Sequence, residues 1–181
     1  MPPHPRSTPL APGHYRVKPG DFEVTALSDG TVALPVDKLL TNTTAAKSTK
    51  ALARSFLKAP VDTSVNGYRI NTGTQLVLID SGAAGHPPGH RICGVESLGQ
   101  KLVLWGALMH VAAVQFADPS VTIQFDTDSK NAAPQRQRAC AEAAQQGYRV
   151  GSAHVSFPGL GHLRGEGKGC AWVPLNDSGL K

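Results

Sequence analysis

The feature that most constrains the fold is a short, wholly apolar run, Leu76-Val77-Leu78-Ile79. The turn signal Thr72-Gly73 precedes this run, and the polar triplet Asp80-Ser81-Gly82 follows it. An apolar run without polar alternation is typical of a central strand that is covered on both faces. The pattern predicts a strand pair over residues 68–71 and 75–80, with the second strand at the centre of a layered sheet.

The rest of the chain predicts strand pairs that alternate with long helices. Such an order is typical of an α/β or α+β layered sheet. Expected strands cover residues 22–27 and 31–36 (a hairpin around Ser28-Asp29-Gly30), 91–96 and 101–105 (turning at Leu98-Gly99), 148–155 and 170–175. Expected helices cover residues 44–58, stopped by Pro60, and 128–146, stopped by Gly147, while residues 157–169 read as a Gly-rich loop.

Composition excludes several classes of protein. The 181 residues are enough for one domain with a core, and no apolar run approaches the length of a membrane span. The net charge is +5, but the 18 basic residues are scattered, whereas a nucleic-acid surface would cluster them. We therefore expect neither a nucleic-acid nor a membrane partner.

Residues 1–13 contain five prolines and no apolar core of a signal peptide, so we expect a flexible lead-in before a single domain at residues 14–181. The lack of a signal favours a cytoplasmic location by default. Three cysteines occur, in odd number and without a C-x-x-C motif: Cys93, Cys140 and Cys170. We expect them to be reduced thiols that pack as small hydrophobic groups.

Candidate chemistry lies at the predicted strand ends. Asp80 follows the apolar run, His86 and His90 flank a Pro-Pro-Gly turn, and His154 ends the predicted strand at residues 148–155. Imidazoles and carboxylates that converge on one sheet edge are natural zinc ligands. Each residue could equally be a solvated or hydrogen-bonded turn residue, with Asp80 capping a turn, so spacing permits a metal site without establishing one.

Several motifs together resemble the metallo-β-lactamase fold, an αββα sandwich. They are Asn71-Thr72-Gly73, residues 76–82, His86-Pro87-Pro88-Gly89-His90 and residues 99–104. Residues 20–30, 111–116 and 154–159 further resemble the methyl parathion hydrolase branch of that family, which cleaves organophosphates. The resemblance extends over nearly the whole chain from Gly13 onward.

The resemblance implies a hydrolase that holds two zinc ions between its two sheets and cleaves phosphotriesters, esters or lactams. Of the seven metal ligands of the family, His86 and His154 match. Ala107 stands where the family has a bridging aspartate, and the H-x-H-x-D-H metal motif is absent. The resemblance therefore implies a truncated sandwich with an internal deletion whose junction lies near residues 85–86.

A catalytic zinc ion needs about three protein ligands, so at most one ion is expected. The third ligand could be Asp80, His90, His110 or His162, and Asp80 could instead position a ligand or water. His110 lies three residues after Ala107, and on a strand this odd offset would turn it to the opposite face unless a turn intervened.

Three functions follow as hypotheses. The first is a zinc-dependent hydrolase of phosphotriesters or aryl esters, impaired because most metal ligands are absent. The alternative is a non-catalytic remnant, or pseudoenzyme, that serves as a dimeric binding module. A deletion would expose two sheet edges and an apolar face, which a homodimer could cover. A nucleic-acid-binding protein is the third and is supported only by the basic charge.

Overall fold

The computed structural model describes residues 13–80 and 92–175. The strands are β1 (His14–Val17), β2 (Glu23–Leu34), β3 (Leu40–Thr41), β4 (Val61–Asn71), β5 (Leu76–Ile79), β6 (Cys93–Ser97), β7 (Gln100–Leu104), β8 (Thr122–Ile123), β9 (Arg149–Gly151), β10 (Leu160–Glu166) and β11 (Gly169–Pro174). The helices are α1 (Val36–Leu39), α2 (Ala45–Arg54), α3 (Ala112–Gln115) and α4 (Ser129–Gln146), and Gly106–Leu108 form a 3₁₀ turn.

Two sheets face each other across the core. The first has the strand order β1-β2-β4-β5 and is antiparallel. The second has the order β11-β10-β9-β7-β6, with β7 and β9 parallel. Tyr68 and Ile70 from the first sheet pack with Leu102, Leu104 and Leu160 from the second. The layered α/β arrangement expected from the sequence is therefore confirmed.

Helix α4 covers the second sheet. Its Cys140 and Ala143 pack with Tyr148, Val150 and Leu163 in a separate apolar cluster. The helix was predicted correctly: Asp128 caps its N-terminus by accepting the Asn131 amide, and Gly147 ends it at φ 68°. Glycine suits this left-handed C-terminal position because it has no Cβ to clash.

The predicted hairpin at residues 22–36 is wrong. One long strand, β2, runs through this region and pairs with β4 on both sides of an irregularity between Ser28 and Thr31. The Ser28-Asp29-Gly30 signal is therefore absorbed as a bulge instead of reversing the chain. Gly30, at φ 93°, provides the local backbone geometry that the bulge needs.

The apolar run at residues 76–79 forms the predicted pair with β4, but its central, covered position is wrong. Among the described strands, β5 lies at the edge of the first sheet. Leu76 and Leu78 are 69% and 57% exposed, and Val77 is 40% exposed. Apolar composition alone cannot distinguish a strand buried by neighbours from one that lacks them, which is why this prediction failed.

Helix α2 confirms most of the prediction for residues 44–58. Thr44 caps it by accepting the Lys47 amide, and Leu52 anchors it in a third apolar cluster. It ends at Arg54, before the predicted limit. Phe56 takes a left-handed conformation at φ 57° and reverses the chain.

The C-terminal region departs from the prediction in two places. Strand β9 lies at the centre of its sheet as expected but contains only Arg149–Gly151. The expected loop at residues 157–169 is mostly strand β10, which forms a hairpin with β11. The glycines of this segment are typical of loops, but in β10 they allow close packing against the neighbouring strand. A Cβ at Gly161 would lie 2.5 Å from the Val173 carbonyl oxygen.

The expectation of three reduced cysteines is wrong for two of them. Cys140 of α4 and Cys170 of β11 form a disulfide with Cα atoms 6.0 Å apart, while Cys93 is free. The packing of α4 on its sheet brings the two cysteines together. Because they are 30 residues apart in the sequence, local patterns could not predict this pairing. Disulfides are typical of oxidising compartments, and the cytoplasmic location stays a prediction. No helix in the described part of the chain is long and apolar enough to cross a membrane.

Candidate active site

Two of the predicted histidines, His110 and His154, come together. The imidazole rings of His110 and His154 stack with their centroids 4.9 Å apart and their planes 19° apart. Phe125 packs against His110, with the two ring centroids 5.6 Å apart. Both histidines are half-buried, so part of the pair is in contact with solvent.

A turn brings His110 to this position. Strand β7 ends at Leu104, and the 3₁₀ turn Gly106–Leu108 follows at once. The Gly106 carbonyl accepts the Ala153 amide at 3.0 Å, so the turn is joined to the segment that carries His154. The opposite-face geometry expected for an odd offset along a strand therefore does not apply, because a 3₁₀ turn and not a continuous strand separates Ala107 from His110.

Gln115 fixes the backbone at His110. Its Oε1 accepts the amides of His110 and Val111 at 2.8 and 3.0 Å, and its Nε2 donates to the Val121 carbonyl at 3.1 Å. The side chain is fully buried. A buried amide with three good hydrogen bonds leaves this loop few alternative conformations.

A buried ion pair holds the same loop from α4. The Arg136 guanidinium pairs with the Asp126 carboxylate, and its Nε donates to the Leu108 carbonyl at 2.7 Å. Its Nη1 also reaches the Val121 carbonyl at 3.4 Å. The Asp126 carboxylate in turn accepts the Ile123 amide at 3.0 Å. These contacts connect both ends of the segment 108–126, in which His110 lies, to one side chain.

His154 has a defined orientation. It lies in the turn after β9, not at the end of a strand as predicted, and its Nδ1 is 3.1 Å from the Ser64 carbonyl oxygen. A carbonyl only accepts, so Nδ1 carries the proton in the neutral ring and Nε2 carries the lone pair. Fixing one ring nitrogen by a backbone carbonyl is how proteins orient a histidine whose other nitrogen binds a metal.

Strand β4 holds the His154 loop through a row of polar residues that sequence reasoning missed. Asn66 Nδ2 donates to the carbonyls of Val155 and Ser152 at 2.7 and 3.2 Å. The Tyr68 hydroxyl is 3.0 Å from the Ser152 carbonyl oxygen and 3.1 Å from that of Gly159. The available signal was the period-two spacing of Ser64, Asn66 and Tyr68, which places all three on one face of β4.

Tyr68 is buried so completely that its ionised form is disfavoured. Burial raises the pKa of Tyr68 far above its ordinary value, while its hydrogen bond to Ser152 lowers it and the charge of Asp80 raises it. The hydroxyl therefore stays protonated and acts as a donor. A Cβ at Gly159 would come within 2.7 Å of this hydroxyl, so the loop passes β4 more closely than other residues allow.

Asp80 lies at the end of β5 and at one side of this row. Its backbone is left-handed at φ 56°, and a Cβ at Gly67 would lie 2.8 Å from its carbonyl oxygen. Its Oδ2 is buried and has no hydrogen-bond partner among the described residues. The carboxylate thus lies near Tyr68, with one oxygen available for another donor.

The remaining predicted histidines are not part of the pair. His162 Nδ1 is 3.1 Å from the Gly147 carbonyl at the end of α4. His86 and His90 lie outside the described residues, as does the predicted deletion junction near residues 85–86. Ala107, where the resemblance places a bridging aspartate, lies in the 3₁₀ turn and offers no ligand atom.

The donor set has the chemistry of a zinc site but lacks one ligand. Within residues 13–80 and 92–175, no three His, Cys, Asp or Glu side chains are grouped to hold a metal ion. A catalytic zinc ion takes about three protein ligands and one open position. The pair His110 and His154 supplies two imidazoles, so the described residues alone do not complete a site.

No protein-family model matches the sequence, and no curated protein matches it. Solved structures do. A hydrolase of the β-lactamase superfamily, AbOPH, aligns with a TM-score of 0.86 and 19% identity over 92% of this chain and 99% of that chain. AidC, a dizinc quorum-quenching lactonase solved with a homoserine product, aligns with a TM-score of 0.81 and 15% identity over 91% and 98%. The chain therefore has the metallo-β-lactamase fold.

Proposed function

We propose that the chain is a hydrolase of the metallo-β-lactamase superfamily, related to the methyl parathion hydrolase branch, with weak zinc-dependent activity on phosphotriesters or aryl esters. The observation that carries the proposal is the stacked pair of His110 and His154, whose ring centroids are 4.9 Å apart. Both similar solved structures are hydrolases of this fold, and one of them is a dizinc enzyme.

Within this proposal, His154 and His110 bind the ion and His86 is the third ligand. When bound, zinc would supply Lewis-acid chemistry to the substrate oxygen. Ser64 orients His154 through its carbonyl, and Asn66 and Tyr68 keep the loop at residues 152–159 in place. The available Asp80 oxygen positions a ligand or a water molecule.

The proposed activity is weak because the ligand set is small. A two-metal site needs about twice the ligands of a single zinc ion, and Ala107 removes the residue that the resemblance assigns to the bridge. We therefore propose at most one ion per chain. With one ion, the site would supply Lewis-acid chemistry without a second ion to share the developing charge, so we expect low turnover.

One observation favours a second candidate, a non-catalytic homodimeric binding module. Strand β5, at the edge of its sheet in the described part of the chain, presents exposed Leu76, Val77 and Leu78, with no Lys, Glu or Pro within it to block pairing. Unprotected apolar edges of this kind pair readily with another strand. In this candidate, two copies pair through β5 and the histidine pair binds a small ligand without turnover.

Hydrolysis of a chromogenic phosphotriester and a chromogenic aryl ester tests the proposal. The zinc-loaded protein is compared with His154→Ala and with the matched control His162→Ala, whose ring bonds a different carbonyl. We expect turnover that is lost in the first variant and kept in the second. Equal turnover in the wild type and His154→Ala would contradict the proposal, and a folded, metal-free, inactive dimer would favour the second candidate.

A further inference from the structure

An exposed aromatic side chain follows helix α2. Phe56 is 99% exposed and the adjacent Leu57 is 43% exposed. A fully exposed phenylalanine keeps its whole apolar surface in water and contributes nothing to the core. Because isolated exposed apolar residues are common, this observation needs further support.

The backbone at Phe56 provides that support. Helix α2 ends in a Schellman motif, in which the amides of Phe56 and Leu57 bond to the carbonyls of Ala53 and Leu52 at 3.1 and 3.0 Å. Phe56 occupies the left-handed position of the motif, at φ 57°. Glycine is strongly preferred there, and a bulky residue is strained. The chain thus carries an aromatic residue where local stability favours glycine, and where no buried contact compensates.

A basic stripe runs along the same helix. Lys47, Lys50 and Arg54 are spaced by three and four residues and therefore share one face, away from the buried Ser48 and Leu52. All three cations are exposed and none forms an ion pair with a described residue. Lys58 follows directly after Leu57, and residues 39–61 contain no acidic side chain.

We propose that α2 and the following Phe56-Leu57 turn form a surface that docks on an anionic lipid bilayer. Basic side chains beside exposed aromatic and aliphatic residues are the combination that binds the interface of anionic membranes: the cations meet the headgroups, and the apolar residues enter the acyl boundary. The sequence expectation of no membrane partner rested on the lack of a spanning segment, which docking at the surface does not need.

Charge complementarity selects this occupant over a second copy of the chain. A twofold contact through this surface would place the same cations opposite each other, because both copies present the same patch. The exposed phenyl group likewise favours lipid over nucleic acid, since a purely electrostatic phosphate contact would not need an apolar side chain to enter the acyl region. The proposal does not depend on the proposed hydrolase function.

Vesicle flotation of the full chain tests the proposal. The probes are vesicles of phosphatidylcholine mixed with phosphatidylglycerol, and vesicles of phosphatidylcholine alone. We expect binding to the mixed vesicles only, and loss of that binding at about 1 M salt, where the Debye length falls to about 3 Å. Failure of the wild-type protein to float with mixed vesicles would overturn the proposal.

The decisive variant is Phe56→Gly, because we expect it to change stability and vesicle affinity in different directions. Glycine suits the left-handed backbone, so the urea midpoint should stay the same or rise, while vesicle affinity should fall about tenfold. Lys50→Gln should lower the affinity on the order of fivefold. The matched control is Leu98→Gly, which removes another exposed apolar side chain (77% exposed) from a left-handed position, at φ 49°. This control should leave vesicle binding unchanged.

Two results would overturn the inference even if the protein binds mixed vesicles. Equal affinities of the wild type and Phe56→Gly would show that the exposed phenyl group does not enter the bilayer. A change from dimer to monomer in Phe56→Gly, measured by light scattering, would show that the surface joins two copies of the chain instead.

Discussion

Replacing Arg136 with methionine is expected to destabilise the fold severely. Arg136 is 1% exposed, its guanidinium pairs with Asp126, and it donates to the carbonyls of Leu108 and Val121. Methionine approximates the volume of the aliphatic part but donates nothing. The variant therefore buries the Asp126 carboxylate without its cation, which costs about 3–5 kcal/mol of the free energy of unfolding.

Urea unfolding followed by tryptophan fluorescence measures this cost. With an m-value of about 2 kcal/mol/M, the urea midpoint should fall by roughly 1.5–2.5 M. Adding Asp126→Asn to the Arg136→Met chain removes the unpaired charge. We expect the double variant to be more stable than the sum of the single losses predicts, with a coupling energy of about 1–3 kcal/mol.

Two results would contradict this cost for the Arg136–Asp126 pair. A loss below about 1 kcal/mol in Arg136→Met would mean that the Asp126 charge is adequately solvated without its partner. Additive losses in the double variant would mean that the two groups do not interact. Either result would leave only the hydrogen bonds of Arg136 to the Leu108 and Val121 carbonyls to hold the loop that carries His110.

Three further outcomes are expected. Replacing Cys140 and Cys170 with alanine, and so opening a loop of 30 residues, should lower the free energy of unfolding by about 3.5 kcal/mol in a urea titration; an unchanged midpoint would contradict a formed disulfide. Burial, with a smaller effect of nearby Glu142, raises the pKa of Tyr148 from 10.0 to about 12, so the unfolded chain loses this proton first and stability should fall as pH rises from 10 to 12. Tyr148→Phe should flatten that fall, and an identical slope would argue against the shift. Asn66→Ala removes the side-chain donor of the Val155 carbonyl and leaves the Ser152 carbonyl with the Tyr68 hydroxyl alone. It should cost about 1–3 kcal/mol while leaving the far-ultraviolet circular dichroism unchanged; a loss below a few tenths of a kcal/mol would contradict its role in holding the His154 loop.

Local signals predicted the elements that have sequence-specific ends. Asp128 and Gly147 define α4, and Leu98-Gly99 turns β6 into β7, because a side-chain cap or a left-handed backbone leaves a direct mark in the sequence. The layered α/β class followed from the same signals. The long strand β2 and the hairpin of β10 with β11 were missed, because a bulge and closely packed glycines carry the same residues as turns.

The features that the sequence did not predict depend on contacts between residues that are distant in the chain. The edge position of β5 depends on which strands flank it, and an apolar run cannot report missing neighbours. The pairing of Cys140 with Cys170, and the stacking of His110 on His154, depend on how distant segments pack. For His110, the sequence did not reveal the 3₁₀ turn Gly106–Leu108. Because of this turn, the alternation of side chains along a strand does not determine where His110 lies.

The central claim is that His110 and His154 bind a zinc ion. The zinc content per chain tests it most directly, measured by elemental analysis after metal stripping and reloading. The account predicts about one ion in the wild type and in His162→Ala, and none in a folded His154→Ala variant. Two tightly held ions in the wild type, or an ion that His154→Ala retains, would contradict it. So would a folded wild-type protein that binds no zinc.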